Sequence, residues 1–262
     1  MGTGIRTGIG AGIWTKVAVA AMAGVLSCAG SALAAEIMVL ANQGAVSAVR
    51  DRAAGFEQAT GNKVIVSFEA GNALNEKINA NAPADLVTNT TDQFDDLVKR
   101  GKVVPGSFVE FARAGNGVAV KEGSIRRDIS TPEAFRQAMP NSASIGHTNA
   151  GTGPFNTKLF QKLGIYDQVK GKVKIIVGRP VAAAVADGTV EIGIQQTNVI
   201  QPFAGTIYLG PLPKELMEYG RFAVGLLTVS KEPEVAKAFI KFMTAPENAA
   251  LVRKSAMETP QS

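Results

Sequence analysis

Apolar positions along the chain alternate between two periods. Ile37-Met38-Val39-Leu40 is a continuous apolar run of strand length, and after a break at Gln43-Gly44 the residues Val46, Val49, Ala53 and Phe56 recur at helical spacing. Thr60-Gly61-Asn62 ends that helix, glycine being the usual residue just past a helix C-terminus. Residues 64–68 read as a second strand, Gly71-Asn72 opens a short helix carrying Leu74 and Ile78, and 84–88 reads as a third strand. Thr91 then starts a helix with Phe94, Leu97 and Val98 on one face. In a second series, 117–120, 144–146, 174–177 and 192–195 read as strands. Between them lie helices over 131–139, from Pro154 with Phe155, Leu159 and Leu163 inward, and over 181–186. Strands at 207–209 and 221–229 and helices at 233–243 and 246–254 complete the chain.

Strands alternating with helices predict an α/β fold whose sheets are mostly parallel and covered on both faces. No Pro/Gly-rich linker divides the chain, so two lobes joined by crossing strands, near 111–120 and 220–229, fit the pattern. The resulting division is lobe I from 35–115 plus 224–262 and lobe II from 116–223. Residues 1–34 stand apart: Arg6 and Lys16 are the only charges before Glu36, an apolar run covers 17–26, and Ala32-Leu33-Ala34 forms an A-x-A pattern. That is the grammar of a cleaved secretory signal peptide, with a run too short for the roughly 20 residues a membrane span needs. The expectation is export to the periplasm with no membrane insertion after cleavage. Cys28, in a faint lipoprotein-like context, would leave with that segment.

Composition narrows the chemistry. Lys plus Arg is 27 against 22 Asp plus Glu, a scattered net +5 that does not make the basic face of a nucleic-acid binder. One cysteine and one histidine exclude a disulfide framework and most zinc sites. No G-x-S-x-G elbow, Walker motif, dinucleotide fingerprint or C-x-x-C is present, so no cofactor is expected.

Four strand-to-helix junctions are short and polar or glycine-rich: Asn42-Gln43-Gly44-Ala45, Glu69-Ala70-Gly71-Asn72, Asn149-Ala150-Gly151-Thr152-Gly153 and Gly178-Arg179-Pro180. Helix N-termini present unpaired N–H groups and partial positive charge there, so Gln43, Gly44, Ala45, Gly71, Asn72 and Thr152 become candidate anion contacts. Arg179 could clamp a carboxylate with its fork, and Gln195, Gln196 and Thr197 could add amide and hydroxyl donors. His147, at the end of a strand, is a candidate proton carrier near neutral pH, and Glu69 is the other candidate base.

The opening EIMVLA, the segments FEQATGNKVIVSFEAGNALNEKI, APADL and DLVKRGKVV, and the closing VAKAFIKFMTAPENAALVRK together resemble the periplasmic molybdate-binding proteins of ABC importers. The resemblance implies the type 2 periplasmic-binding-protein fold, with a cleft between two lobes that closes on an anion. It also marks departures. Where that family presents serine hydroxyls to its oxyanion, this chain has Gly44 and the Gly71-Asn72 pair, and Gln196 replaces a tyrosine. Within the family the chain most resembles the aconitate isomerases, which implies a cofactor-free allylic 1,3-proton shift on a tricarboxylate anion. The alternative is a receptor handing molybdate or an organic anion to an ABC permease.

Overall fold

The structure is a computed structural model, which describes residues 1–2, 34–69, 73–149, 151–201 and 203–260. Residues 3–33 of the expected signal segment, Cys28 among them, lie outside the described residues, as do Gly71 and Asn72. In chain order the elements are β1 (Glu36–Asn42), α1 (Val46–Thr60), β2 (Lys63–Glu69), α2 (Ala73–Asn79), β3 (Leu86–Thr90), α3 (Phe94–Lys99) and β4 (Val109–Ala114). Then come β5 (Asn116–Lys121), α4 (Pro132–Ala138), β6 (Ile145–Thr148), α5 (Thr152–Lys162), α6 (Tyr166–Val169), β7 (Val173–Ile176) and α7 (Val181–Ala186). Last are β8 (Ile192–Gln196), α8 (Thr197–Ile200), β9 (Thr206–Pro211), β10 (Gly220–Leu226), α9 (Pro233–Thr244) and α10 (Ala249–Lys254). Among the described residues no helix is long and apolar enough to cross a membrane.

Two five-stranded sheets organise the chain, in orders β2-β1-β3-β10-β4 and β7-β6-β8-β5-β9. The α/β class read from the sequence holds, but each sheet is mixed. β1 runs parallel to β2 and β3, and β6 to β7 and β8, whereas β10 is antiparallel to β3 and β4 and β5 is antiparallel to β8 and β9. The antiparallel half arises where the chain changes sheets. It leaves the first sheet at Gly115, between β4 and β5, and returns between the end of β9 and the start of β10. The return therefore precedes residue 220. The boundary expected at 223/224 falls inside β10, because Phe222 and Ala223 already pair with β3 and β4.

Both faces of each sheet are buried, which is why the central strands read as continuous apolar runs. On one face of the first sheet Val39, Val49, Phe56, Phe111, Phe222 and Phe239 form a core with α1 and α9; on the other, Leu40, Leu74, Ile78, Phe94 and Leu97 pack under α2 and α3. In the second sheet Ile145, Ile192 and Ile194 pack with Phe135, Leu159 and Phe160 of α4 and α5, while Val181 and Val185 of α7 cover the opposite face. Arg52 is buried in the first core and donates to the Met243, Ala48 and Phe111 carbonyls, tying α1 to α9 and β4; burial lowers its pKa to about 10.

Candidate functional site

In open sheets of this kind, ligands sit beyond the carboxyl ends of the parallel strands. Two long helices start there, one from each sheet: α1 after β1 and α5 after β6. Their N-cap residues, Ala45 and Gly151, make no side-chain capping bond, and neither helix has an acidic residue in its first turn. By contrast, Thr131 caps α4, and the first N–H of α7, on Val181, donates to Gln195 Oε1 at 2.9 Å. Helices α1 and α5 thus keep their positive ends for something other than their own side chains.

The β1–α1 turn is welded to the second sheet. Asn198 Nδ2 donates to the Gly44 carbonyl at 2.7 Å, and the Thr197 N–H donates to the Gly115 carbonyl at 2.9 Å. Gly44 is where the lack of a side chain matters: an ideal Cβ there would lie 2.6 Å from Phe222 Cε1 and Cζ and 3.0 Å from Gln196 Oε1. Gln196 Nε2 in turn lies 3.0 Å from the Cβ position of Gly220. Its carboxamide is therefore threaded between two glycines, one at each side of the crossing. Of the candidates at this turn, Gly44 lies against Gln196; Gln43 and Ala45 flank Gly44 in the chain, Ala45 buried with its N–H donating to the Asn42 carbonyl. Asn198 and Phe222 are contacts that sequence reasoning missed; Asn198 follows the polar run at 195–197, whereas nothing local marks Phe222.

The β6–α5 junction carries the other group. His147 is buried, and its Nδ1 lies 2.9 Å from the Thr148 carbonyl oxygen. A carbonyl can only accept, so Nδ1 is the donor of this bond and Nε2 is left for another partner. The Thr148 and Thr152 hydroxyls lie 3.3 Å apart at the start of α5. Gly153 makes this arrangement possible, since a Cβ there would sit 1.7 Å from the Thr148 carbonyl oxygen. The glycine after Thr152 is thus a packing requirement of this junction.

Glu69 ends β2 opposite Asn42, buried, accepting from Ser67 Oγ at 2.7 Å and from Lys77 Nζ. The Lys77 bond holds its carboxyl below the ordinary range, against the opposing effect of burial. It is an ionised partner of Lys77, which makes it a weak base. Arg179 is placed differently from its expected role. Its guanidinium donates to Asp187 Oδ2 at 2.5 Å and Thr189 Oγ1 at 3.1 Å, and it is 42% exposed. Asp187 caps the far end of α7, so the fork is turned away from the strand ends by a nearer carboxylate. Behind the β1–α1 turn, a cavity of about 330 Å³ is lined by Ser47, Asp51, Asn198, Gln201 and Lys254.

Comparison with known proteins places this geometry. Residues 37–258 match the family model described as bacterial extracellular solute-binding protein. An aconitate isomerase of Pseudomonas sp is 25% identical over 228 residues, spanning 85% of this chain and 87% of that protein. The molybdate-binding protein ModA of Azotobacter vinelandii is 27% identical over 256 residues, spanning 91% and 95%. The structure of the Azotobacter vinelandii periplasmic molybdate-binding protein matches with a TM-score of 0.71 at 18% identity, covering 86% of this chain and 100% of that one.

Proposed function

This chain belongs to the bacterial extracellular solute-binding proteins, and we propose that within that family it is a periplasmic aconitate isomerase. The observation that carries the reading is the β6–α5 junction: a histidine whose Nδ1 proton is fixed by the Thr148 carbonyl sits beside a helix N-terminus left without a cap. An oriented base next to an anion seat is what proton abstraction beside a carboxylate requires. The β1–α1 turn supports the same choice. The Gly44 position has no room for a hydroxyl-bearing side chain, because Phe222 and Gln196 fill it. The serine with which the molybdate-binding proteins meet their oxyanion has no counterpart there.

The mechanism follows from those parts. The positive ends of α1 and α5 and the Thr148 and Thr152 hydroxyls hold carboxylates of trans-aconitate, fixing the tricarboxylate between the two sheets. Nε2 of His147 takes a proton from the methylene carbon, and the negative charge spreads through the double bond into the adjoining carboxylate. The same imidazolium returns the proton to the other end of the allylic system, giving cis-aconitate. Atoms balance with no added reactant, and the helix dipoles stabilise the charge as it develops.

A second reading, delivery of an organic anion or molybdate to an ABC permease, has the coverage of the ModA relatives in its favour. Proton NMR of the chain with trans-aconitate in deuterated buffer separates the two. Conversion to cis-aconitate is the expected result, with deuterium entering the product to the extent that the imidazolium exchanges with solvent before it returns its proton. An unchanged spectrum together with tight molybdate binding by calorimetry would make the chain a receptor.

A further inference from the structure

One side chain reaches the first sheet from the second and is only half satisfied there. Asn198, the second residue of α8, is buried; its Nδ2 donates to the Gly44 carbonyl at 2.7 Å, and among the described residues its Oδ1 has no hydrogen-bond partner. If this position served packing alone, an apolar residue of the same shape would suit it better, because a buried oxygen without a donor forfeits its solvation. The bond that Asn198 does make has a definite target. The Gly44 carbonyl and the Ala45 N–H belong to one peptide group, and that N–H donates to the Asn42 carbonyl at 3.1 Å. The peptide is therefore held from both sides, by Asn42 of the first sheet and by Asn198 from the second. Helix α1 starts at the next residue. Its first N–H with a helical acceptor is that of Val49, on the Ala45 carbonyl, so those of Val46, Ser47 and Ala48 are left free at the head of the helix.

We propose that Asn198 is a positioning residue that acts through the Gly44–Ala45 peptide: from the second sheet it sets the orientation of the free N–H groups at the head of α1, so the anion seat of the first sheet is aligned only while α8 is docked on it. The proposal rests on the α1 end being an anion seat, as in the reading above, and is independent of the proton transfer. Among the described residues no other side chain bonds to residues 43–45, so the orientation of this peptide depends on Asn198. A carboxamide suits the task because its NH2 group donates to a carbonyl without adding a charge beside the seat. The donor is itself anchored: the Thr197 N–H donates to the Gly115 carbonyl at 2.9 Å and the Thr197 hydroxyl to the Ala256 carbonyl at 3.1 Å. Donors aimed at an anion lose much of their effect when misplaced by about 1 Å, which is the scale of the tilt that one missing bond allows.

Asn198→Leu removes the donor and the unmatched oxygen together at nearly constant volume. KM for trans-aconitate should rise by about tenfold or more while kcat stays within about twofold, because the residue serves the seat and not the proton carrier. Loss of stability alone would lower the active fraction, and with it the apparent kcat, and would leave KM where it was. An unchanged KM in folded Asn198→Leu, with or without a fall in kcat, would overturn the proposal. Should that variant fail to fold, Asn198→Ala is held to the same criterion. Wild-type protein that binds trans-aconitate or molybdate without converting the former would sink the isomerase reading. The Kd of the bound anion in wild type against Asn198→Leu, by calorimetry, would then decide the role of Asn198 by the same tenfold criterion. Wild-type protein that binds neither anion would overturn both.

Discussion

Phe222 reaches Gly44 from another strand of the first sheet, and that contact shows how far one residue's role can depend on a partner 178 positions away in sequence. Gly44→Ser should force the ring aside and lower stability by about 1–3 kcal/mol, the usual cost of overpacking a core, without creating molybdate affinity. Thermal unfolding and molybdate calorimetry check both halves. His147→Gln keeps a polar side chain of similar size but no titrating nitrogen, so turnover should fall by about 10²-fold or more with binding of trans-aconitate retained in titration calorimetry. Arg179→Ala should leave trans-aconitate affinity unchanged, since the guanidinium is engaged by Asp187 and Thr189 on the surface. A tenfold weakening would return Arg179 to the site.

Elements in this chain are held at their ends by single side chains. Asp85, just before β3, accepts from the Met38 N–H at 2.9 Å, from Ser230 Oγ at 2.7 Å, and from the Lys231 and Glu232 N–H groups at 3.1 and 3.2 Å. It thereby joins β1 to the start of α9. Burial alone would raise its pKa, but those four donors together bring it below the ordinary carboxylate value. A depressed folded pKa contributes stability above the unfolded value of about 3.9 and loses it as pH falls through the folded value. Urea unfolding should therefore weaken between about pH 5 and pH 2, and Asp85→Asn should flatten that dependence while costing about 1–3 kcal/mol at pH 7. The helices and strands themselves were mostly legible. The two single-turn helices α6 and α8 were not, because four residues are too few to show a period. Helix α5 begins at Thr152 rather than at Pro154, since proline, lacking an N–H, is tolerated anywhere in the first turn.

For the molecule as a whole, the C-terminal segment stitches the two sheets together. Ser255 donates to Asp51 on α1 at 2.7 Å, and the Ala256 carbonyl accepts from Thr197 on α8 at 3.1 Å. Glu258 exchanges two backbone bonds with Arg113 of β4, whose guanidinium lies 4.3 Å from the centre of the Tyr219 ring. These contacts gather where the chain passes between sheets, so α1 of the first sheet and α8 of the second are held by a common frame. A ligand that binds only this assembled form stabilises it by mass action. At a hundred times its Kd, trans-aconitate should raise the unfolding free energy by about 2.7 kcal/mol, seen as a higher Tm in calorimetry, and molybdate should leave the Tm where it was.

Apolar periodicity by itself determined the order of strands and helices, because burial on both faces of a sheet is written locally as runs and spacings. It also marked the loops that hold Gly44, His147 and Thr152, since glycine and polar residues after a strand have a local cause. Which of those loops keeps a free helix end was decided only in three dimensions. Gln195 occupies the N-terminus of α7 and Lys77 occupies Glu69, while Asp187 draws Arg179 away, and each partner is chosen by distance in the folded chain. Charge and hydrogen bonding act over a few ångströms of space, and sequence separation carries no record of that.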